Sequence, residues 1–362
     1  MILTGLFMSI HALAQGFTPA HWLERCLAIM AIALLTACSA PASQATAPVL
    51  PDKIVHDRAQ PATPTVFKLA NGQALAARVW ASPQPRHIVL GVHGFNDYSK
   101  AFEPLAHHLV TELQATVYAY DQRGFGGNPQ PGIWPGSDTL LTDLRDIATQ
   151  LRERHPGLPL TVVGESMGGA VVLVAASEAP GLAADQLILK APAVWGASSM
   201  PWYQRLSLYT MNLLAPDMVF TGRGLPSLGI RPTDDIEVAR DFSRDPLFIK
   251  ATRVGSLAGV TELMGRAQSL SALPPQRSLV LYGLRDRIIP PQPVCDWLTH
   301  LNTAQPQPGT TDVVVYPEGW HLLTRQLRTR EPLQDMARWL QNNPLDQRQS
   351  TAQAQQVVCK GL

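Results

Sequence analysis

The chain of 362 residues has almost no charge imbalance, few cysteines and no long apolar run, and each shortage excludes a class of protein. A formal net charge of +1 without a basic stripe argues against a nucleic-acid partner. No stretch approaches the roughly 20 apolar residues that a membrane-spanning helix needs. The cysteines lack metal-ligand spacing, and no phosphate-binding glycine loop opens a helix. We therefore expect no metal and no cofactor.

The N-terminal residues have the pattern of a targeting segment. Arg25 precedes the apolar run CLAIMAIALLTAC, which is too short to cross a bilayer but has the length of a signal-peptide core. Its end, Leu35 to Cys38, resembles the lipobox of bacterial lipoproteins, in which the peptide is cut before a cysteine that is then lipidated. Residues 1–37 are thus predicted to be a lipoprotein signal peptide and Cys38 the lipidation site. A plain secretory signal is the alternative.

Both ends of the exported chain are poor in periodic structure. Residues 38–65 are rich in Pro and Ala and predict a tether, and residues 344–362 predict a disordered tail. Ser39, in place of Asp after the lipobox cysteine, indicates the periplasmic face of the outer membrane by resemblance to enteric lipoproteins. Cys295 and Cys359 could pair in an exported protein, but Cys359 lies in the weak tail, so a bridge is the less favoured alternative.

Between these ends, over residues 66–343, strand patterns alternate with helix patterns. The runs HIVLGVHG, ATVYAYDQRG and LPLTVVGES are almost continuously apolar up to their ends, and each is followed by a helix pattern. Such strands predict an α/β fold with a mostly parallel, doubly wound sheet that is covered on both faces. The alternation is interrupted at about residues 194–275, which contain two helix-like segments. They predict a helical cap inserted between two strands.

The segment TVVGESMGGA places Ser166 between a strand pattern and a helix pattern. A serine hydroxyl is a poor nucleophile until a base takes its proton, and the free amides at a helix start can stabilise an oxyanion. Gly164 and Gly168 suit a turn that is too crowded for side chains. A structural turn serine is the alternative, but the strand–turn–helix context favours a nucleophile.

A nucleophilic serine needs a base and an acid, and both have candidates at strand ends. Asp286 follows the strand LVLYGL and His321 follows the last strand, so both should lie at the carboxyl edge of the sheet. Asp286 could instead be a helix cap, and His321 a structural histidine of the interior. Asp296 and Asp312 are weaker candidates because one lies inside a helix and the other starts a strand. His93 also follows a strand directly, and we assign it to shaping the loop there.

Several of these motifs together resemble the α/β-hydrolase superfamily, in its lysophospholipase and monoacylglycerol lipase branch of serine aminopeptidase type. GVHGFND resembles the oxyanion loop of that family, and YDQRGFGGN resembles its Asp-x-Arg-Gly-x-Gly-x-Ser segment, with Asn128 in place of Ser. The chain order Ser166, Asp286, His321 is also that of the family. The resemblance implies the α/β-hydrolase fold and assigns these three residues as a catalytic triad.

The resemblance further implies a serine hydrolase that needs no cofactor and cleaves carboxylic esters through an acyl-enzyme on Ser166. Monoacylglycerols or lysophospholipids are the favoured substrates, and the backbone amides of Phe95 and Met167 would hold the oxyanion. A small-ester esterase, a thioesterase or an aminopeptidase on the same fold are alternatives, as is a non-catalytic binding lipoprotein. The expected partners are a small ester or lipid and, through the anchor, a membrane.

One cap segment, PWYQRLSLYTMNLLAP, repeats apolar residues at helical spacing over a broad arc. About half of this face is expected to pack on the sheet domain. Resemblance to the family, whose cap helices stand over the serine, implies that the surplus would form a slot for an acyl chain there. Trp202, Tyr209 and Leu213 are the predicted substrate residues of this slot.

Overall fold

The apolar runs that predict strands pair with one another in one large sheet. A computed structural model describes residues 52–54, 61–222, 229–304 and 311–360, all of which belong to a unit covering Val49–Leu362. The strands in these ranges are β1 Thr63–Lys68, β2 Ala74–Trp80, β3 His87–Val92, β4 Ala115–Tyr120, β5 Leu160–Glu165, β6 Gln186–Lys190, β7 Val219–Thr221, β8 Ala251–Arg253, β9 Arg277–Gly283 and β10 Thr311–Tyr316. The predicted signal peptide and Cys38 lie outside the described residues.

The sheet has the order β1-β2-β4-β3-β5-β6-β9-β10 within the described ranges. β2 pairs antiparallel with β1 and β4, and the other pairs are parallel. β3, β4 and β5 are buried along their whole length, as strands covered on both faces must be. The parallel register sets Glu165 opposite Lys190 at the carboxyl edge. Residues that follow the parallel strands therefore gather at that edge.

Helices cover both faces of the sheet. Their bounds are α1 Glu103–Leu113, α2 Ser137–Arg154, α3 Met167–Ser177, α4 Trp202–Leu214, α5 Ile236–Arg244, α6 Val254–Gln268, α7 Pro291–Ala304, α8 Arg330–Leu340 and α9 Thr351–Lys360. Residues of α2, α3, α6, α7 and α9 share one apolar core, and residues of α1 and α8 share the other. The prediction of a doubly wound, mostly parallel sheet is confirmed.

The segment between β6 and β9 leaves the sheet and forms the cap. It contains α4, α5 and α6 together with a short antiparallel ribbon of β7 and β8. α6 packs against α3 and α2. Its Arg266 forms ion pairs of 2.7 Å with Asp138 of α2 and with Glu178 just after α3. This helix therefore fastens the cap to the sheet domain.

The apolar face of α4 differs from its prediction. No residue of α4 is buried. The exposed fraction is 56–77% for five of its large apolar residues, which are Trp202, Leu206, Tyr209, Leu213 and Leu214. The expectation that about half of this face packs on the sheet domain is wrong for these residues. α4 rests against α6 of the cap instead, which leaves the apolar stripe on the outside.

The C-terminal residues were expected to be a disordered tail, and up to Lys360 this prediction is wrong. Gln349 forms an antiparallel bridge with Val313 of β10. α9 then packs along α7 and buries Ala354 and Val358 completely. The short apolar stripe of α9 gives little periodic signal, because the helix is stabilised by tertiary packing rather than by its own sequence.

A disulfide joins Cys295 of α7 to Cys359 of α9. The sequence made this pairing the less favoured alternative because the tail was expected to lack structure. Once α9 lies along α7, the two cysteines are neighbours.

The predicted bounds of the tether, residues 38–65, also need correction. β1 begins at Thr63, and the side chain of Ile54 packs on the core beside α1 and α8.

Candidate active site

Ser166 lies on the turn that joins β5 to α3. Its φ of 56° and ψ of −118° are rare for a residue with a side chain and mark a strained backbone. Two glycines make the turn possible. A Cβ on Gly168 would lie 2.0 Å from the carbonyl oxygen of Val92, and one on Gly164 would lie 2.5 Å from the carbonyl oxygen of Gly168. The turn therefore requires both glycines and sets the serine at the carboxyl edge of the sheet.

The loop after β3 lies against the serine. A Cβ on Gly94 would be 3.2 Å from the Cβ of Ser166, so a side chain at this position would crowd the nucleophile turn. Phe95 is the next residue of this loop. Met167 opens α3, and amides of a first helical turn have no acceptor within the helix. The structure thus brings both predicted oxyanion donors to the neighbourhood of Ser166.

His93 fixes the shape of the oxyanion loop. Its Nδ1 donates to the carbonyl oxygen of Gly94 at 2.8 Å, and its Nε2 accepts the backbone N–H of Gln122 at 2.9 Å. The side-chain amide of Gln122 also donates to the carbonyl oxygen of His93 at 2.7 Å. Burial lowers the pKa of His93, which keeps the ring neutral with one donor and one acceptor nitrogen. His93 therefore braces the loop, as the sequence predicts.

Asp286 and His321 meet after β9 and β10. Nδ1 of His321 lies 2.6 Å from Oδ2 of Asp286. The other carboxylate oxygen accepts the backbone N–H groups of Ile288 at 2.8 Å and Ile289 at 2.9 Å. Asp286 is completely buried and His321 nearly so, which shields their hydrogen bond from water. The carboxylate orients the ring and leaves Nε2 as the nitrogen that can act as a base.

The two rival carboxylates are engaged elsewhere. Asp296 accepts a hydrogen bond from Gln292 within α7. Asp312 stands at the amino end of β10, where it accepts the indole N–H of Trp339 at 2.7 Å. Asp286 is therefore the candidate acid that the structure pairs with His321.

A set of buried charges behind the serine is absent from the sequence predictions. It consists of Asp97, Glu165, Lys190 and Arg325, each less than a tenth exposed. One signal could have found part of it, because β5 and β6 are apolar strands that both end on a charged residue. In a parallel sheet, the ends of neighbouring strands lie side by side.

Two further features are absent from the residues that the structure describes. No group of His, Cys, Asp and Glu in these ranges is arranged to hold a metal ion. No helix in the same ranges combines the length and apolarity needed to cross a membrane.

An open sheet that presents a serine turn and an Asp–His pair along one edge defines the class of α/β-hydrolases. Within that class, the chain belongs to the family described as serine aminopeptidase, S33, whose model matches residues 83–327. The predicted α/β-hydrolase fold is confirmed by this match and by the sheet order.

The chain is similar to several monoglyceride and monoacylglycerol lipases, over different shares of its length. Human monoglyceride lipase is 26% identical over 190 residues, which cover 50% of this chain and 59% of the human protein. The monoacylglycerol lipase of Mycolicibacterium smegmatis is 25% identical over 287 residues, or 76% of this chain and 95% of that protein. A solved structure of a soluble variant of Saccharomyces cerevisiae monoglyceride lipase, in complex with a substrate analog, has a TM-score of 0.65 at 18% identity. It covers 82% of this chain and 100% of that one. The prediction of a hydrolase acting on esters is confirmed.

Proposed function

We propose that the protein is a serine hydrolase that cleaves monoacylglycerol-like or lysophospholipid-like esters through an acyl-enzyme on Ser166. The observation that carries this proposal is the buried hydrogen bond between His321 and Asp286 at the edge where the serine turn lies. A carboxylate on one ring nitrogen fixes the tautomer in which the other nitrogen can accept a proton. This is what a serine nucleophile requires of its base.

In the proposed mechanism, Oγ of Ser166 attacks the ester carbonyl carbon while Nε2 of His321 takes the hydroxyl proton. The backbone N–H groups of Phe95 and Met167 hold the negative oxygen of the tetrahedral intermediate. The Asp286 carboxylate stabilises the imidazolium, which then gives its proton to the leaving alcohol. A water molecule, activated by the same histidine, releases the fatty acid from the serine.

The cap supports a lipid-like substrate. Asn96 of the oxyanion loop donates to the hydroxyl of Thr252 in β8 at 2.7 Å, and its carbonyl oxygen accepts the N–H of Ile249 at 2.9 Å. The cap is thereby attached to the loop beside the nucleophile and can control which groups reach it. Each methylene of an acyl chain that the cap buries would contribute at most about 0.8 kcal/mol to binding.

Catalytic efficiency on p-nitrophenyl esters is expected to rise from acetate to octanoate, because added methylenes add buried apolar area. Leu213→Asp or Tyr209→Asp should flatten this rise and leave acetate turnover largely intact. Val66→Asp is the matched control, since Val66 is an exposed apolar residue of β1 outside the cap. The measurement is kcat/KM across the ester series, extended to monoacylglycerols, lysophospholipids, thioesters and aminoacyl amides.

A wild type that prefers acetate to octanoate would contradict the lipid-like substrate and favour a small-ester esterase. Faster turnover of thioesters or of aminoacyl amides would favour the thioesterase or the aminopeptidase alternative. The comparison of one enzyme preparation across these substrates therefore separates the candidate activities on this fold.

We also propose that the enzyme is anchored by a lipid on Cys38 to the periplasmic face of the outer membrane, on the strength of the lipobox resemblance. Cys38→Ala should move the protein from the membrane fraction to the soluble fraction and abolish labelling by a fatty-acid analogue. Cys26→Ala, within the predicted signal peptide, should change neither. Recovery of unlabelled wild type from the soluble periplasm would contradict the anchor.

A further inference from the structure

Four charged side chains lie buried behind the nucleophile turn, and the mechanism proposed above uses none of them. We call Asp97, Glu165, Lys190 and Arg325 the charge network. Its members come from four segments of the chain. Glu165 immediately precedes the nucleophile, Asp97 lies in the oxyanion loop, Lys190 ends β6, and Arg325 lies in the segment that begins at the candidate base. The network therefore has a member in the nucleophile turn, in the oxyanion loop and in the segment of the base. It has none in the segment of the acid, Asp286.

Short hydrogen bonds join these side chains. Nη2 of Arg325 donates to Oε1 of Glu165 at 2.5 Å and to Oδ2 of Asp97 at 2.6 Å. Nζ of Lys190 donates to Oε2 of Glu165 at 2.8 Å and to the hydroxyl of Thr324 at 3.0 Å. Both oxygens of Glu165 are thus bound by different cations. The network thus combines two basic and two acidic side chains.

Glu165 and Arg325 hold their charges because each has partners of opposite sign, whereas burial lowers the pKa of Lys190. Burial alone would raise the pKa of Glu165, but the Lys190 ammonium and the Arg325 guanidinium outweigh it and lower that pKa to about 2. Burial disfavours the charged form of Arg325, yet Asp97 and Glu165 outweigh it and raise the pKa of the guanidinium. Glu165 and Arg325 therefore remain an ion pair throughout the neutral pH range.

Stability does not explain why charges occupy this position. Taking an ion out of water costs several kcal/mol, and a buried ion pair can often be replaced by packed apolar side chains without loss of stability. Packed apolar groups would not, however, supply directional bonds between separate loops. In acyl transfer such direction matters, since a displacement of about 1 Å at the reacting groups can cost roughly 100-fold in rate.

We propose that Arg325 and Glu165 are positioning residues that keep the nucleophile turn, the oxyanion loop and the base-bearing segment in register. Arg325 is central because one of its guanidinium nitrogens binds the carboxylate of Glu165 in the nucleophile turn and that of Asp97 in the oxyanion loop. Arg325 itself lies in the base-bearing segment. The inference rests on the acyl-enzyme mechanism proposed above. It adds two positioning residues to that mechanism.

Steady-state kinetics on a p-nitrophenyl ester test the proposal. Arg325→Met should lower kcat by about 10- to 100-fold while KM changes by less than about threefold, because alignment is lost and binding is not. Arg325→Lys keeps the positive charge and should recover most of the loss. The matched control is Arg277→Met at the amino edge of β9, where Arg277 stacks 4.0 Å from the ring of Trp339. Its kcat should stay within about twofold of wild type.

A double variant separates positioning from folding. Asp97→Asn/Arg325→Met removes one charge of each sign and keeps the Lys190–Glu165 ion pair, so it avoids the uncompensated Asp97 carboxylate of the single variant. Its Tm should recover toward wild type while its kcat remains low. Recovery of kcat together with Tm would show a purely structural role and overturn the proposal, as would wild-type kcat in Arg325→Met. Full activity in Ser166→Ala would instead overturn the acyl-enzyme mechanism.

Discussion

Ser166→Ala should remove ester hydrolysis almost completely, with kcat/KM falling by about 10⁴-fold or more. His321→Ala should have a similar effect, because the serine hydroxyl is a weak nucleophile without its base. The double variant should be no worse than either single variant, since the two residues act as one unit. The measurement is hydrolysis of the best ester substrate by variants whose Tm matches wild type.

Asp286→Asn should leave slightly more activity than the other two substitutions, because the base remains in place and loses its orienting carboxylate. His87→Ala is the control for loss of a buried histidine. His87 starts β3 at the opposite edge of the sheet and hydrogen-bonds the hydroxyl of Thr161 at 2.7 Å. Its substitution should leave kcat unchanged. Near-wild-type activity in His321→Ala would show that the base is wrongly assigned.

The second large effect concerns stability. The disulfide between Cys295 and Cys359 links residues 64 apart in sequence, and the chain-entropy model gives about 4 kcal/mol for a loop of that size. Cys295→Ser/Cys359→Ser should therefore lower the free energy of unfolding by about 2–4 kcal/mol. Urea denaturation followed by circular dichroism measures the change.

Dithiothreitol supplies the control for this prediction. It should lower the urea midpoint of the wild type to that of the double serine variant, and it should leave the variant unaffected. An equal midpoint for oxidised and reduced wild type would show that the bridge adds nothing to the stability of the fold.

The sheet and the candidate site could be predicted because they depend on local signals. Strands such as β3 and β5 are buried on both faces, so their sequences are almost continuously apolar. Polar residues therefore stand out where these strands end. Ser166, Asp286 and His321 each follow one of these strand ends. Their common edge follows from the parallel topology alone, without any knowledge of side-chain contacts.

The features that escaped prediction depend on distant parts of the chain. Glu165 and Arg325 are 160 residues apart, and nothing in either local segment indicates the partner. α9 has too few apolar positions for its own sequence to predict order, because its stability comes from packing on α7. The sequence pattern of α4 indicates an apolar face but not what that face meets, and in the structure five of its large apolar residues stay more than half exposed.

The central claim is that Ser166 is a nucleophile activated at this edge of the sheet. A fluorophosphonate probe tests it most directly, because the probe forms a covalent bond only with an activated serine. Intact-mass and peptide-mapping mass spectrometry should find one adduct on Ser166 in the wild type and none in Ser166→Ala, with labelling strongly slowed in His321→Ala. A folded wild type that stays unlabelled, or equal labelling of Ser166→Ala, would contradict the claim.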